Sequence, residues 1–416
     1  MLQTLQRIIL EKQELILNRI LQERTLQIPS THQIKIFTGP RRCGKTCLMQ
    51  LEARNYDLRR VLYLDFEDER LVGFQSLGSY DVVLDSYHSL FPDLQPVLFF
   101  DEVQALPNWH LFLKRLHEHY PEIHVTGSNA NLLSRDIATY LTGRSLSLKA
   151  RPFSFREFVY SRREEIAETS FKLHPGKWLN LFNEYRVWGG FPEVIFTDSK
   201  LTVLQGIYQL ILFKDLASKL KLSDYALRLI IGKLVENIGK PYSMNSVYNK
   251  IRQFYPLSRP TCNDYINALE LPFLTQTITL WRKSFVARES ERKTYLIDNG
   301  FIKLHSVGED WGKLLENCVF NELSRRHDQI YYYRTNNRLE VDFLVIDGEQ
   351  KQLIQVCETI SDPDTRAREF AALLTAMQEL GLDSAILLTA FEESTIVQDH
   401  LRIEVIPAWK WMLSES

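Results

Sequence analysis

Short apolar stretches alternate with amphipathic segments along residues 33–150. The apolar stretches have the length of buried strands, and the segments between them repeat their apolar positions at helical spacing. The predicted strands are residues 34–38, 61–66, 96–101, 123–127 and 144–149, and the predicted helices lie near 44–54, 79–90 and 108–119. Because buried strands joined by helices form parallel sheets covered on both faces, this region predicts an α/β domain.

The rest of the chain shows three further patterns. Residues 155–240 have helical periodicity with one break at Gly189-Gly190-Phe191-Pro192, and residues 241–300 predict short helices and then a small β element. Beyond residue 305 a second α/β unit is predicted from a helix, strands at 330–333, 339–346 and 352–357, a helix at 362–380 and a strand at 384–390. The predicted domains are residues 1–160 with an N-terminal helix, 161–235, 236–304 and 305–416.

Composition is ordinary for a soluble globular protein. Hydrophobic residues make up 45% and charged residues 25% of the 416 residues, which excludes collagen and disordered chains and allows two or three domains. The formal net charge is −2, but residues 301–416 contain 11 Lys and Arg against 20 Asp and Glu. The first 300 residues contain 39 Lys and Arg against 32 Asp and Glu. The front of the chain is therefore basic and the back is acidic.

Cysteine usage indicates a reducing compartment. The cysteines are odd in number, scattered and without a CxxC pair, which argues against a disulfide framework or a zinc site; they are Cys43, Cys47, Cys262, Cys318 and Cys357. The first twenty residues carry charges among their apolar positions, so they do not read as a secretory signal. No apolar run has the length of a membrane span. We therefore expect a cytoplasmic protein.

The residues after the first predicted strand match the phosphate-binding pattern GxxxxGK[ST]. Gly39 and Gly44 let backbone N–H groups turn towards a phosphate, and the helix that starts near Gly44 adds its positive end. Lys45 can reach the β and γ oxygens of a nucleotide, and the Thr46 hydroxyl can ligate Mg²⁺. A glycine-rich turn with an exposed lysine is the alternative. The predicted nucleotide-binding residues are Gly39, Pro40, Arg41, Arg42, Cys43, Gly44, Lys45, Thr46 and Cys47.

A second predicted strand ends in two carboxylates, Asp101 and Glu102. At the end of a buried strand Asp101 can lie beside Mg²⁺, and Glu102 can act as general base on the attacking water. An acidic loop after a strand is the alternative, but the phosphate-binding pattern upstream favours the functional interpretation. The predicted metal ligands are thus Thr46 and Asp101, and the predicted base is Glu102.

Two further positions are candidates for catalysis. The fourth predicted strand ends in Thr126-Gly127-Ser128-Asn129, where a polar side chain could orient the water, although Asn129 could equally cap a turn. A catalytic arginine must reach the γ-phosphate. Arg144, at the start of the fifth strand, and Arg135 could each do so in their own chain or across a protomer boundary, or could be solvated surface residues.

These motifs resemble a family of prokaryotic AAA-type ATP-binding proteins. Besides FTGPRRCGKT and LFFDEVQ, the segments that carry the resemblance are TGSNANLL, YLTGRSLSLKARPFSFREF, YRVWGGFPEVI, FKDL and KTYLIDNGF. The resemblance implies a P-loop ATPase core, a winged helix and a C-terminal domain related to PD-(D/E)xK nucleases. It also implies that Asn129 is the first sensor and that Arg144 belongs to a GR motif. The family usually has an arginine shortly after FKD, where this sequence has Lys219.

The winged-helix interpretation has some local support. Ser243 can cap one helix, and Ser258 followed by Pro260 can open a second, whose apolar face carries Cys262, Ile266 and Leu269. The outward face would then carry Arg259, Asn263, Asp264 and Asn267, as in a helix that enters a major groove. The positive charge is small for a DNA-binding domain. A structural or protein-docking role is the alternative to DNA contact.

The C-terminal region is similar to a nuclease core that lacks part of its chemistry. Glu316 and Asp342 stand at acidic positions, but Gln355 replaces an acid and Cys357 replaces the lysine of the ExK pattern. An amide is a poor Mg²⁺ ligand, and a protonated thiol does not substitute for an ammonium group. We therefore expect a nuclease-like fold without nuclease activity, used for contacts with a protein partner or a second copy.

Three functions remain open from the sequence, beside a defective P-loop protein that binds nucleotide only for stability. The first is a Mg²⁺-dependent ATPase in which the nucleotide state moves the C-terminal domains. The second is a DNA-binding protein that ATP switches with negligible turnover. The third is an ATP-dependent nuclease, which the substitutions at Gln355 and Cys357 disfavour.

Overall fold

The computed structural model describes residues 2–71, 80–127, 141, 143–217, 223–270, 273–282, 291–306 and 308–414. The chain forms two compact units, which meet in the sequence between Arg151 and Pro152, and Phe273 is grouped with the first unit. Among the described residues, no helix combines the length and the apolar character that crossing a bilayer requires.

The first unit contains every strand and helix predicted for it, with bounds that differ by at most a few residues. Its elements are α1 (Leu2–Asn18), β1 (Ile34–Thr38), α2 (Lys45–Ala53), β2 (Val61–Asp65), α3 (Asp81–Leu90), β3 (Val97–Asp101), α4 (Trp109–His117), β4 (Ile123–Gly127) and β5 (Ser145–Lys149). The prediction of an α/β unit in this part of the chain is confirmed.

The sheet of the first unit is parallel and has the strand order β2-β3-β4-β1-β5. Strand β4 lies between β1 and β3, so Thr38 is opposite Gly127 and Phe100 is opposite Val125. The carboxyl ends of β1, β3 and β4 therefore meet at one edge of the sheet. Parallel sheets bind ligands at this edge, where the strand order reverses.

The core of the first unit is apolar and includes the N-terminal helix. Leu5, Ile8 and Ile9 of α1 are fully buried in the same cluster as Ile36 of β1 and Phe100 of β3. This pattern of buried positions three and four residues apart places one face of α1 on the core.

The second unit contains the helical region, a β-hairpin and a second sheet. Its helices up to the hairpin are α5 (Phe155–Ser161), α6 (Glu168–Leu173), α7 (Pro175–Trp188), α8 (Pro192–Ile195), α9 (Lys200–Leu210), which continues as a π-helical segment (Ile211–Ala217), α10 (Asp224–Glu236), α11 (Met244–Ile251) and α12 (Arg259–Ala268). The hairpin and the following helices are β6 (Thr275–Thr279), β7 (Arg292–Leu296), α13 (Asn299–His305) and α14 (Trp311–Arg326). The remaining elements are β8 (Ile330–Arg334), β9 (Glu340–Asp347), β10 (Gln350–Val356), α15 (Pro363–Leu380), β11 (Ser384–Thr389), β12 (Ser394–Gln398), β13 (Leu401–Pro407) and α16 (Ala408–Leu413).

The second sheet is mixed, with the order β12-β13-β11-β10-β9-β8. The strands predicted near residues 330, 340, 352 and 384 are present, whereas β12, β13 and α16 were not predicted from the sequence. Helix α15 packs its Leu373 and Met377 on Leu344 and Leu353 of the sheet. The prediction of a second α/β arrangement is confirmed, and the division of residues 152–416 into three domains stays a prediction.

A buried carboxylate explains the glycine break at residues 189–192. Asp298 is 4% exposed, and its two oxygens accept hydrogen bonds from the backbone N–H groups of Gly190 (2.7 Å) and Gly300 (2.8 Å). Gly189 has φ +75°, and a Cβ atom there would lie 1.8 Å from the Asp298 carboxylate. Burial raises the pKa of Asp298 to about 7, against the opposing effect of the two N–H donors. The glycines that interrupt the helical pattern therefore allow the backbone after α7 to contact Asp298, the residue before α13.

We predict that Gly189→Ala destabilises the second unit by about 2–4 kcal/mol, because the new methyl group meets Asp298 and the backbone is left-handed. The matched control is Gly206→Ala inside α9, where a Cβ atom meets nothing within 4 Å. That control should stabilise the helix by roughly 0.5–1 kcal/mol. Chemical denaturation of both variants measures the difference, and equal unfolding free energies would contradict this account.

Candidate functional site

The loop between β1 and α2 is shaped by two glycines. Gly39 has φ +154°, and a Cβ atom there would lie 2.0 Å from the carbonyl oxygen of Ala150. Gly44 adopts a left-handed conformation (φ +94°) directly before α2. Only glycine allows both the close approach and the turn, so this backbone requires the two glycines of the sequence pattern.

Lys45 is buried, and none of the described residues gives it a negative partner. Its side chain is 6% exposed, and Nζ donates to the carbonyl oxygens of Gly39 and Pro40, each at 3.0 Å. Within the described part of the chain it forms no ion pair, and no side chain caps the N-terminus of α2. Buried charges are normally paired. The loop therefore presents a positive group and an open helix end, which suit a phosphate.

The other loop residues differ in exposure. Cys43 is fully buried, and its thiol donates to the carbonyl oxygen of Ala150 at 3.5 Å. Cys47 is half-buried, and burial raises the pKa of its thiol. Arg41 and Thr46 are also half-buried, and Arg42 is exposed. The structure thus places these predicted residues on one loop and on the first turn of α2.

The two carboxylates at the end of β3 lie at the same edge of the sheet. Asp101 is 2% exposed and accepts hydrogen bonds from Tyr63 Oη at 2.9 Å and from the hydroxyl of Thr126. The Thr126 oxygen also accepts a hydrogen bond from the backbone N–H of Glu102 at 2.8 Å. Because β4 lies beside β3, Thr126 can hold both residues in position.

Glu102 is oriented by its backbone and by a neighbouring amide. It adopts a left-handed conformation (φ 49°, ψ 47°), and the side chain of Gln104 donates a hydrogen bond to its carboxylate. Burial raises the pKa of Glu102, and the positive charge of Lys45 opposes this shift.

Arg144 lies away from this edge. It directly precedes β5, and its backbone oxygen accepts a hydrogen bond from the N–H of Ile34, where β1 begins. The phosphate-binding loop follows the other end of β1, roughly 16 Å away for five residues of strand. Arg144 therefore lies at the opposite end of β1 from the loop, and its role as a catalytic arginine, in its own chain or on a second copy, stays a prediction. Asn129, Arg135 and Lys219 lie outside the described residues.

The predicted remnant of a nuclease site is only partly assembled. The side-chain oxygen of Gln355 accepts from the Asp342 N–H at 2.9 Å, and its amide nitrogen donates to Glu369 at 2.6 Å. Cys357 donates to the Thr359 carbonyl oxygen at 3.1 Å, and burial raises its pKa to about 11. Gln355 thus bonds to its neighbours, and the Cys357 thiol remains protonated at neutral pH.

Glu316 and Asp342 converge on Lys293, a residue that the sequence analysis did not select. The Nζ atom of Lys293 lies 3.5 Å from Glu316 and 3.0 Å from Asp342. Glu358, which follows Cys357, pairs instead with the buried guanidinium of Arg186 at 2.7 Å. Lys293 opens the segment KTYLIDNGF, which carries the family resemblance, but nothing in the sequence pairs it with the two acids, because it stands on a hairpin strand far from both.

Sequence reasoning also missed Arg24, which lies in the irregular segment before β1. Its guanidinium donates to the carbonyl oxygen of Cys43 at 3.2 Å and to that of Arg151 at 2.7 Å. It thereby joins the phosphate-binding loop to the residue after which the second unit begins. An arginine in a segment without periodicity gives no signal in the sequence.

The fold and the site define an AAA-type P-loop protein, and comparison with known proteins agrees. An AAA domain matches residues 31–159, and two domains of unknown function match residues 179–308 (DUF8612) and 311–411 (DUF4143). The chain is 30% identical over 406 residues to the uncharacterized protein MJ1544 of Methanocaldococcus jannaschii. This alignment covers 92% of this chain and 89% of the archaeal protein. It therefore belongs to the same family as that archaeal protein. An uncharacterized protein of Haemophilus influenzae is 28% identical to this chain over 358 residues. This alignment covers 82% of this chain and 86% of the bacterial protein.

Similarity to solved structures is weaker. The Walker-type ATPase PABY2304 of Pyrococcus abyssi aligns with a TM-score of 0.43 and 14% identity over 66% of this chain and 91% of that one. The Aeropyrum pernix ORC1 protein, solved in complex with DNA, aligns with a TM-score of 0.29 and 13% identity over 74% of this chain and 92% of that one. Likenesses at these scores carry no argument about function.

We predict that Arg24→Ala lowers the unfolding free energy of the first unit by about 1–3 kcal/mol, because two buried carbonyl oxygens lose a charged donor. The control is Arg7→Ala, whose side chain is 78% exposed and paired with Glu11; such a pair is worth about 0–1 kcal/mol. Chemical denaturation followed by a first-unit probe measures both. Equal effects would show that the Arg24 contacts add nothing to stability.

Proposed function

We propose that the first unit binds ATP with Mg²⁺ and hydrolyses it, and that the nucleotide state acts on the second unit. The observation that carries this proposal is the buried ammonium group of Lys45, which has no anionic partner among the described residues and influences Glu102. A triphosphate would supply the missing negative charge at the open end of α2. The AAA domain match over residues 31–159 is consistent with this chemistry.

The side chains at the sheet edge suit distinct tasks in hydrolysis. Thr46 and Asp101 would hold Mg²⁺, and the bound ion would neutralise part of the phosphate charge. Glu102 would accept a proton from the attacking water at its carboxylate, and burial makes it a stronger base than an exposed glutamate. Thr126 would keep Asp101 and Glu102 at a fixed separation through its hydroxyl group.

The coupling part of the proposal is supported by the packing of the loop on residues 150 and 151. The Cys43 thiol donates to Ala150, Gly39 lies against the same carbonyl oxygen, and Arg24 bonds to both Cys43 and Arg151. The chain enters the second unit at Pro152. A nucleotide that moves the loop would therefore displace the residues that precede the second unit.

The exposed face of α12 supports a second candidate function, a DNA-binding protein switched by nucleotide. Cys262 and Ile266 are buried, whereas Arg259, Asp264 and Asn267 are exposed and Asn263 is half-buried. On and just after the neighbouring helix α11, Lys250 and Arg252 are exposed. They lie over the rings of Phe254 and Tyr248 at 5.7 Å and 5.5 Å from the ring centroids. Phe254 is exposed and Tyr248 is half-buried. Positive groups beside accessible rings suit the backbone and bases of a nucleic acid.

We predict that Glu102→Gln lowers steady-state ATP turnover by about 10²–10⁴-fold, because it removes the general base. ATP should still raise the melting temperature of this variant as it does for the unchanged protein. The matched control is Lys45→Ala, which should lose both turnover and the ATP-dependent rise in melting temperature. Turnover that survives Glu102→Gln would contradict the assigned role, and failure of ATP to stabilise the unchanged protein would contradict the proposal itself.

We predict that the exposed face of α11 and α12 governs any binding to DNA. Lys250→Ala and Arg259→Ala should each reduce the slope of log affinity against log salt by about 1. The control is Lys303→Ala. Lys303 lies on α13 and pairs with Glu309, and its replacement should leave the slope unchanged. Fluorescence anisotropy with a labelled DNA duplex, with and without ATP, measures the affinity and its salt dependence. A DNA affinity that ATP leaves unaltered would exclude the nucleotide switch.

A further inference from the structure

Lys293 lies at the centre of three carboxylates in the second unit. Its side chain on β7 is fully buried, and its Nζ atom is 3.5 Å from Glu316, 3.0 Å from Glu340 and 3.0 Å from Asp342. The acids come from α14 and β9, whereas the lysine comes from the hairpin. We call these four residues the Lys293 cluster.

The acids of the Lys293 cluster have few other neutralising partners. Tyr295 donates to Glu316 at 2.8 Å, and the backbone N–H of Val356 donates to Asp342 at 3.1 Å. Arg334 approaches Glu340 at 3.3 Å but also pairs with Glu291. Among the described residues, Lys293 is the cation that pairs with Glu316 and with Asp342.

The ammonium group is held in its charged form. Burial alone would lower the pKa of Lys293, but Asp342, Glu316 and Glu340 outweigh burial and raise it. Burial and the charge of Asp342 in turn raise the pKa of Glu316. Carboxylates that converge in a buried space repel one another unless a cation lies between them.

We propose that the Lys293 ammonium group is a built-in cation that occupies the position a divalent metal ion would take between Glu316, Glu340 and Asp342. It closes this carboxylate cluster to metal ions and fastens the β6–β7 hairpin to the second sheet. Oxygen atoms of three carboxylates around one point are the ligands that hard divalent cations prefer. The ammonium group supplies the charge without an open coordination position.

A catalytic role for this lysine does not fit its surroundings. The Lys293 side chain has no exposed surface, and the side chains of Asp342 and Glu316 are only 13% and 16% exposed. A catalytic ammonium group must reach a substrate, which this one cannot do from its buried position. The three carboxylate oxygens lie 3.0–3.5 Å from the ammonium nitrogen, farther than the roughly 2.3–2.6 Å of calcium–oxygen contacts. As they stand around the lysine, no group of three or more His, Cys, Asp or Glu side chains among the described residues is arranged to hold a metal ion, and the acids would have to move closer together to bind one. The cluster with its lysine in place is therefore a structural ion site.

The test is whether removal of the ammonium group creates a metal site. Lys293→Met keeps an unbranched side chain that is one atom shorter and removes its charge. Lys303→Met, a lysine on α13 that pairs with Glu309 and is 32% exposed, is the matched control. Terbium binding, followed by luminescence sensitised through nearby tyrosines such as Tyr295, and the Ca²⁺ dependence of the melting temperature are measured for both variants and for the unchanged protein.

We expect Lys293→Met to melt several degrees below the unchanged protein and to recover most of that loss in millimolar Ca²⁺. It should bind terbium at least tenfold more tightly than the control or the unchanged protein, and Asp342→Asn in the same variant should abolish this gain. Any ion that binds at the nucleotide site is common to all these proteins and cancels in the comparison. A Lys293→Met protein as stable as the unchanged one and without new ion binding would overturn the proposal.

A neutralised variant keeps the test decisive if Lys293→Met does not fold. The triple change Lys293→Met, Glu316→Gln and Asp342→Asn removes the lysine together with the two acids that rely on it. Folding of the triple variant without metal, when the single variant folds only with Ca²⁺ or not at all, would support charge balance as the role of Lys293. Failure of both to fold in Ca²⁺ would show that the lysine is needed for packing, and the proposal would fall.

Discussion

Gly39 lies so close to the carbonyl oxygen of Ala150 that the phosphate-binding loop and the end of β5 must keep a fixed spacing. The ladder between β1 and β5 continues this contact, because the N–H of Ala150 donates to Thr38 at 2.7 Å. The shape of the loop is therefore set by the sheet itself. A site that is formed in advance loses less conformational entropy when a ligand binds. The position of Lys45 and the open end of α2 both depend on this one spacing.

The sequence predicts those parts of the structure that short segments determine. The five strands of the first sheet and the phosphate-binding loop follow from apolar runs and from a local pattern of glycines. The role of Thr126 depends on the strand order, because only the insertion of β4 next to β3 brings its hydroxyl to Asp101. Arg24 and Lys293 act through contacts with residues distant in the sequence, which no periodicity reveals. Arg144 shows the converse, since its motif suggests a catalytic role, whereas the structure places it at the start of β5, at the far end of β1 from the loop.

The uneven charge along the chain has a structural explanation in the second unit. The excess of acids after residue 300 predicts an acidic, separate domain if each part of the chain is considered alone. In the structure, basic residues from before residue 300 meet those acids, as Arg186 meets Glu358 and Lys293 meets Glu316 and Asp342. Such buried pairs are costly to break from one side, because the remaining charge is left without a partner. The charge imbalance thus reflects how distant segments of one unit neutralise each other.

Helix α1 shows that the folding unit and the recognisable AAA segment are not the same piece of chain. The AAA match begins at residue 31, but Leu5, Ile8 and Ile9 of α1 are buried in the core of the same unit. The side chain of Gln13 also donates to the backbone oxygen of Val61 at 2.9 Å, at the start of β2. A protein trimmed to the matched segment would leave a broad apolar surface of this core in contact with water, and such surfaces promote self-association. Sequence similarity therefore marks where the nucleotide chemistry lies, whereas the burial of α1 marks how much chain must be kept for that chemistry to stay in solution.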